Sequence, residues 1–105
     1  MYLPSTIPYQ QHRGFSRTFT PGHLSLGLFF PLEAFGGDIP SMLNQVALAK
    51  RAEELGFSAL WFRDVPLRDP RFGDVGQACG PWVCMGYMAA HTSEIALGSA
   101  SIAIP

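Results

Sequence analysis

The stretch LAKRAEELGFSALWFRD, residues 48–64, decides the fold class of this 105-residue chain. Apolar residues recur at intervals of four and three, at Leu48, Ala52 and Leu55, with charged residues between them. This spacing predicts an amphipathic helix, and Gly56 is a residue type that commonly ends one. The residues after the glycine are apolar until two charges close the run, which predicts a buried strand. The stretch therefore predicts a helix that leads directly into a strand.

A second apolar run lies upstream, at residues 24–30, and ends at Pro31. It is nearly continuous, which predicts a first strand that is buried on both faces. Asp38 stands two residues before Pro40, and this pair predicts the start of the helix, with the aspartate as N-cap and the proline in the first turn. The helix then connects two strands, an arrangement that is parallel and right-handed in nearly all known cases.

Downstream of the second strand, residues 65–80 form a loop rich in Pro, Gly, Asp and Arg. Loops of that length in compact domains are usually functional. Pro81 opens a second helix that runs to about His91, and because its residues are apolar nearly all round we expect it to be buried. Residues 95–104 predict a third strand built from small residues, which let another group approach the backbone closely.

The predicted order is β-α-β-α-β, and each βα unit takes roughly 33 residues, close to the roughly 31 of an eightfold barrel. We therefore predict an α/β fold that is the N-terminal β-α-β-α-β portion of a (β/α)8 TIM barrel, truncated after the third strand. A three-stranded parallel sheet is the alternative. It would leave apolar sheet edges open, because no further helix is predicted to cover it.

Residues 1–22 contain three prolines, several Ser, Thr and Gln, and no apolar periodicity. This composition predicts a flexible or extended lead-in at 1–22, followed by a partial barrel domain at 23–105.

Composition excludes several classes of protein. The chain is 48% hydrophobic with a formal net charge of −1, which is the opposite of a disordered tail. A single lysine, Lys50, argues against a nucleic-acid partner, and no apolar run is long enough to span a membrane. The N-terminus lacks the apolar core of a signal peptide, so we expect a cytoplasmic protein. Cys79 and Cys84 match neither a CxxC pair nor a zinc site, and are expected to be reduced thiols with no metal bound.

Five motifs carry a resemblance to a known family. The motifs are LGLFFPLE at 26–33, ALWFRDVPLRDP at 59–70, FGDVGQ at 72–77, AAHT at 89–92 and IALG at 95–98. With these motifs the sequence resembles the N-terminal part of luciferase-like flavin-dependent oxidoreductases, the bacterial luciferase superfamily. The resemblance covers about residues 14–105. One departure is Gly80 before Pro81 and Trp82, where the family commonly has an aspartate.

The resemblance implies a (β/α)8 barrel that binds FMN or, alternatively, the deazaflavin F420. It also implies a bulge with a non-proline cis peptide at the end of the third strand, near Ala100 and Ser101. Active-site residues of such barrels lie at the C-terminal ends of the strands. Combined with the resemblance, this predicts a set of cofactor-binding residues: Phe30, Pro31, Arg63, Asp64, Ser99, Ala100 and Ser101.

Each of these assignments has a structural alternative. Arg63 and Asp64 would equally serve as internal ion pairs with the charged residues of the loop that follows. Phe29 and Phe30 are more typical of a core than of a cofactor stack. The small residues at 99–101 would also be explained by tight packing alone. No Ser-His-Asp, Cys-His or paired-carboxylate pattern is recognisable, which suits an enzyme whose cofactor performs the chemistry, and the catalytic residues stay unassigned.

The sequence thus predicts a flavin-dependent oxidoreductase or monooxygenase that acts on a small organic substrate, present as an N-terminal fragment that is inactive alone. By resemblance, full-length family members are homo-oligomeric. The alternatives are a non-catalytic remnant, a piece that needs a complementary chain, and a small self-contained α/β binding module.

Overall fold

The computed structural model of the chain describes residues 8–32, 43–65, 71 and 80–104. Three parallel strands form one sheet in the order β1-β2-β3. The predicted β-α-β-α-β portion of a barrel is confirmed, and a short helix precedes it. The elements are a 3₁₀ helix at Tyr9–Gln11, α1 at Arg13–Thr18, β1 at Gly27–Phe30, α2 at Gln45–Glu54, β2 at Ala59–Arg63, α3 at Pro81–Ala89 and β3 at Ala96–Ser101.

The core lies on one side of the sheet, between the strands and the helices α2 and α3. Strand residues alternate between faces, so Leu60 and Phe62 point to this side. The rings of Phe30 and Phe62 are 4.8 Å apart at an angle of 30°. The buried residues of this cluster are Phe30, Ala49, Ala52, Leu60, Phe62, Cys84, Met88 and Ile95.

Strand β1 is buried on only one of its faces, so the prediction of two buried faces is wrong. The side chain of Phe30 is in the core, whereas Phe29 is 61% exposed. Leu24 and Leu26 precede the strand and are exposed as well. A run of apolar residues looks the same in sequence whether or not both faces of its strand are covered.

Helix α2 begins later than predicted. Its N-cap residue is Asn44, whose φ of 62° is left-handed and cannot continue a helix from the preceding residues. Asp38 is therefore not the N-cap of α2, and it lies outside the described residues together with Pro40.

The end of α2 at Gly56 is confirmed. The glycine has a φ of +87°, its N–H donates to the carbonyl of Glu53, and the N–H of Phe57 donates to the carbonyl of Ala52. These two bonds form a Schellman motif, which satisfies carbonyls that the helix leaves open. The chain is thereby turned directly into β2.

Helix α3 has one buried and one exposed face, so the prediction that it is buried nearly all round is wrong. Met88 and Cys84 pack on the sheet. Trp82, Val83 and Tyr87 point outward and are 66%, 71% and 53% exposed. No other helix or strand of the described residues covers this side.

Helix α1 lies in the segment for which the sequence predicted an extended lead-in, and for residues 13–18 that prediction is wrong. The guanidinium of Arg17 donates to the backbone carbonyl of Phe57 at 3.0 Å and to that of Glu53 at 3.4 Å. A β-carbon on Gly14 would lie 3.6 Å from the β-carbon of Ala96, so the helix packs against the start of β3. Contacts with residues far away in the sequence thus fix a helix that the weak local pattern did not indicate.

The start of β3 is held by a carboxylate from α2. One oxygen of Glu53, Oε2, accepts the backbone N–H groups of Ser93, Glu94 and Ile95 at 2.9, 2.6 and 2.8 Å. Burial alone would raise the pKa of Glu53, but these three donors, together with the charge of Arg17, lower it below the ordinary value of 4.5.

Cys84 is disulfide-bonded, so the expected reduced thiol is wrong at this position. Cys79 lies outside the described residues. Among the helices that the structure describes, none has the length and hydropathy needed to cross a membrane.

Candidate functional site

The sheet face that points away from α2 and α3 carries aromatic and charged side chains next to glycines. We call it the open face and define it by Gly27, Phe29, Trp61, Arg63 and Gly98. Phe29 is aligned with Trp61 in the β1–β2 pairing, and Trp61 is aligned with Gly98 in the β2–β3 pairing. These residues are therefore neighbours across three strands, and the set reaches the C-terminal strand ends, where barrel enzymes place their active sites, at Arg63.

Trp61 lies flat across the sheet because glycines flank it on both neighbouring strands. A β-carbon on Gly27 would be 2.5 Å from the indole Nε1, and a β-carbon on Gly98 would be 2.6 Å from Cζ3. Real β-carbons essentially never approach other atoms so closely. The two glycines thus make room for a broad aromatic surface in the centre of the open face.

Arg63 and Phe29 form the end of the open face that is nearest the C-terminal strand ends. The guanidinium carbon lies 5.9 Å from the centre of the Phe29 ring, a cation–π distance. This contact places a permanent positive charge beside an exposed aromatic ring. The pair can offer both stacking and charge-assisted hydrogen bonding to a planar ligand.

Strand β3 has a bulge where it meets these residues. Phe62 pairs with Ser99, but Arg63 pairs with Ser101, so Ala100 is the extra residue. The bulge puts Ser101 on the same face as Arg63. It confirms the irregularity that the family resemblance implied at this position.

The backbone beyond the bulge is held by Asp64. Its N–H donates to the carbonyl of Ser101 at 3.1 Å, and its side-chain Oδ2 accepts the N–H of Ala103 at 3.0 Å. The alternative for Asp64, an ion pair with the following loop, concerns residues that lie mostly outside the described part of the chain.

The end of β1 is held by a buried amide. Gln45 is 2% exposed, and its Oε1 accepts the backbone N–H of Leu32 at 2.8 Å. Its Nε2 donates to the carbonyl of Leu43 at 3.4 Å. A polar side chain at the start of α2 thereby fixes the first residues that leave the sheet after Pro31.

A cleft of about 440 Å³ opens beside this end of β1, between the strand and α2. Phe29 and Pro31 line it together with Leu48 and Leu55 of the helix side. A second cavity of about 710 Å³ lies at the opposite end of the sheet, where His12 and Arg13 face the start of β3. Only the first of the two adjoins the C-terminal strand ends.

The structure brings most of the predicted site residues together. Arg63, Asp64 and the segment 99–101 meet at the bulge, while Pro31 lies at the end of β1 after a cis bond to Phe30. The side chain of Phe30 is in the core, on the opposite side of the sheet from Phe29. The implied non-proline cis peptide near Ala100 and Ser101 is not present, and the bond from Phe30 to Pro31 is the cis bond of the described residues.

Three side chains of this site were not predicted from the sequence. Phe29 was interpreted as core, although it is exposed beside Arg63. Trp61 and Gln45 were not considered. Because side chains of a strand alternate between its two faces, Phe29 and Phe30 could have been assigned to opposite faces of β1. The glycines at 27 and 98 indicated a large neighbouring side chain. The strand register was needed to identify that neighbour as Trp61.

Comparison with known protein families identifies the chain. The family model described as luciferase-like monooxygenase matches residues 22–105. The chain belongs to the luciferase-like monooxygenase family. No protein in a comparison with curated sequences matched the chain.

Luciferase-like proteins are TIM barrels that generally use reduced flavin-type cofactors. The side chains on the open face of this luciferase-like chain are chemically suited to the ring portion of such a cofactor. It combines the exposed ring of Phe29, the flat indole of Trp61 and the guanidinium of Arg63. Aromatic surfaces stack on planar rings, and a guanidinium donates to ring carbonyl oxygens.

Proposed function

We propose that the open face and the adjoining strand ends bind a flavin-type cofactor, FMN or alternatively F420, for oxidoreductase or monooxygenase chemistry on a small organic substrate. The observation that carries this proposal is the contact between Arg63 and the exposed ring of Phe29 at the C-terminal end of a parallel sheet. Family membership supports it, because luciferase-like proteins generally use such cofactors.

The chain's own residues would bind and orient the cofactor. Phe29 and Trp61 offer apolar surface that loses contact with water when a planar ring covers it, and this burial favours binding. Arg63 offers N–H donors toward carbonyl or anionic oxygens of the ring. Ser101 follows the bulge and is paired with Arg63, so it would face the same ligand.

A bound reduced flavin supplies hydride or activates oxygen, which are reactions that protein side chains do not perform alone. The residues described here would hold and shield the ring. Of the residues predicted from sequence, Pro31, Arg63, Ser99, Ala100 and Ser101 remain in the proposed site through their positions at the strand ends. Phe30 supports it from the core side, and Phe29 takes its place as the aromatic contact.

The proposed partners are the cofactor and the organic substrate. We also propose that the protein forms a homo-oligomer, is located in the cytoplasm and does not bind nucleic acid. The near-neutral net charge of −1 supports the last of these. We expect the isolated chain to bind its cofactor without turning over a substrate.

A cofactor titration with a matched pair of variants tests this function. FMN and F420 are titrated separately into the full chain while cofactor fluorescence and the Tm are followed, and binding should saturate and raise the Tm. Phe29→Ala should weaken binding by about three- to tenfold, the magnitude of one lost aromatic stack.

Phe19→Ala is the control, because Phe19 has the same 61% exposure but lies beyond the end of α1 and stacks on Phe15. It should leave the dissociation constant unchanged. The proposal fails when the unmodified chain binds neither cofactor saturably, or when the two substitutions weaken binding equally.

A further inference from the structure

The two hydrogen bonds of Asp64 follow the pattern of a parallel β-ladder with one replacement. In such a ladder the N–H of a residue donates to a backbone carbonyl of the neighbouring strand. The carbonyl of the same residue accepts from an N–H that lies two positions further along that neighbouring strand. Asp64 donates its N–H to the carbonyl of Ser101. The N–H of Ala103, which would pair with the backbone carbonyl of Asp64, donates to its side-chain Oδ2 at 3.0 Å instead.

The side-chain carboxylate thus stands in for a backbone carbonyl. The main chain can leave β2 directly after Asp64 while the partner segment of β3 keeps its hydrogen bond. This matters because Ser101 follows the bulge, where ladder pairing is already disturbed by the extra residue Ala100. Asp64, the residue after β2, therefore holds the end of β3 at Ser101 and the segment that follows it at Ala103.

We propose that Asp64 is a positioning residue for the cofactor site, acting through the backbone of residues 101–103 and not by contact with the ligand. This inference rests on the proposed function. Arg63 precedes Asp64 and is paired with Ser101, so the same two bonds fix the distance between the guanidinium-bearing strand and the bulge. A loss of the carboxylate acceptor frees the N–H of Ala103 and lets the segment move relative to Arg63 and Phe29.

Three substitutions of Asp64 separate the effect of its acceptor oxygen's position from the effect of its charge. Asp64→Asn keeps an oxygen acceptor at the same distance but removes the charge. Asp64→Glu keeps the charge but displaces the acceptor by one methylene, and Asp64→Ala removes the acceptor altogether. A role through Ala103 predicts the order of affinity wild type, Asn, Glu, Ala, whereas direct attraction of a charged ligand group would rank Glu above Asn.

The experiment measures FMN and F420 affinity together with hydrogen exchange of the Ala103 amide in the full chain. We expect Asp64→Ala to raise the dissociation constant and the exchange rate by about tenfold each, as for a lost charge-assisted hydrogen bond. Asp64→Asn should stay within about threefold of the wild type in both quantities. Glu54→Ala, which removes an exposed carboxylate of α2, is the control and should change neither.

Two outcomes overturn the inference while the proposed function stands. In the first, Asp64→Ala loses protection of the Ala103 amide but binds cofactor like the wild type. In the second, Asp64→Glu binds better than Asp64→Asn. Failure of the unmodified chain to bind either cofactor instead overturns the proposed function, and the positioning role with it. If Asp64→Ala does not fold, the comparison of the Asn and Glu variants decides.

Discussion

The indole of Trp61 occupies the space beside Gly98 that any other residue would need for its side chain, with ring carbon Cζ3 only 2.6 Å from the position of a β-carbon. The two residues are aligned in the β2–β3 pairing, so neither backbone can move away without disturbing the sheet. The width of the open face is therefore set by the large side chain of Trp61 together with the missing side chain of Gly98.

Substitution of Gly98 by alanine tests this pairing. The added methyl group must displace the ring, and overpacking of this kind costs about 1–3 kcal/mol of unfolding free energy. The control is Gly86→Ala in α3, where a β-carbon meets nothing within 4 Å and alanine should stabilise the helix by up to about 1 kcal/mol. Urea unfolding of both variants measures the difference, and equal shifts would contradict the packing described here.

Acid sensitivity is expected from Glu53. Its pKa is lowered in the folded chain, so its contribution to stability is fully present above the ordinary value of 4.5 and is lost as the pH falls through the folded value. Glu53→Gln keeps an acceptor but cannot titrate. The variant should be less stable near pH 7 and should lose less stability than the wild type between about pH 5 and pH 3.

The neighbouring Glu54 provides the control for this measurement. It forms a surface ion pair with Arg51 at 3.2 Å, with both side chains about two thirds exposed. Such pairs contribute about 0–1 kcal/mol, so Glu54→Gln should follow the wild-type pH profile. A Glu53→Gln profile as steep as that of the wild type would rule out the hydrogen-bonded carboxylate as the cause.

Attachment of α1 to the domain is expected to depend on Arg17. Arg17→Ala removes the donors to the carbonyls of Phe57 and Glu53, and α1 itself has six residues, too few for a stable isolated helix. Chymotrypsin should then cleave faster at Phe15 and Phe19 in the variant. Arg13→Ala, at an exposed position of the same helix, should leave the cleavage rate unchanged, and faster cleavage in both variants would contradict the anchoring role.

Association of the chain is expected from the exposed apolar side of α3. Trp82, Val83 and Tyr87 lie on one helix that has no charged residue. Contiguous apolar surface of this kind favours association or aggregation in water. Size-exclusion chromatography should show an apparent mass that rises with concentration, and Trp82→Gln combined with Tyr87→Gln should reduce the effect. A stable monomer at all concentrations would refute this expectation.

The parts of the fold that could be predicted from sequence are those with local chemical signals. Gly56 ends α2 because a left-handed residue is needed there, and Pro81 begins α3 because its fixed φ suits a first helical turn. Each of these signals lies within a few residues of the feature that it predicts.

The parts that could not be predicted depend on contacts between distant residues. The anchor of α1 joins Arg17 to Phe57, and the exposed side of α3 depends on which elements pack against it. In the candidate site, Arg63, Asp64 and the bulge region were predicted, whereas Trp61 required knowledge of which glycines lie beside it. The side chains of Phe29 and Phe30 are chemically alike, so only their burial separates their roles.

The segments on either side of β3 are held by two carboxylates, Glu53 of α2 at residues 93–95 and Asp64, directly after β2, at residue 103. The position of β3 is thus specified by hydrogen bonds to α2 and to the end of β2, and the exposed side of α3 takes no part in them. An engineer could change the exposed side chains of α3 while the strand and its bulge keep their place in the sheet. Redesign of the outer surface and retention of the strand geometry concern separate parts of the chain.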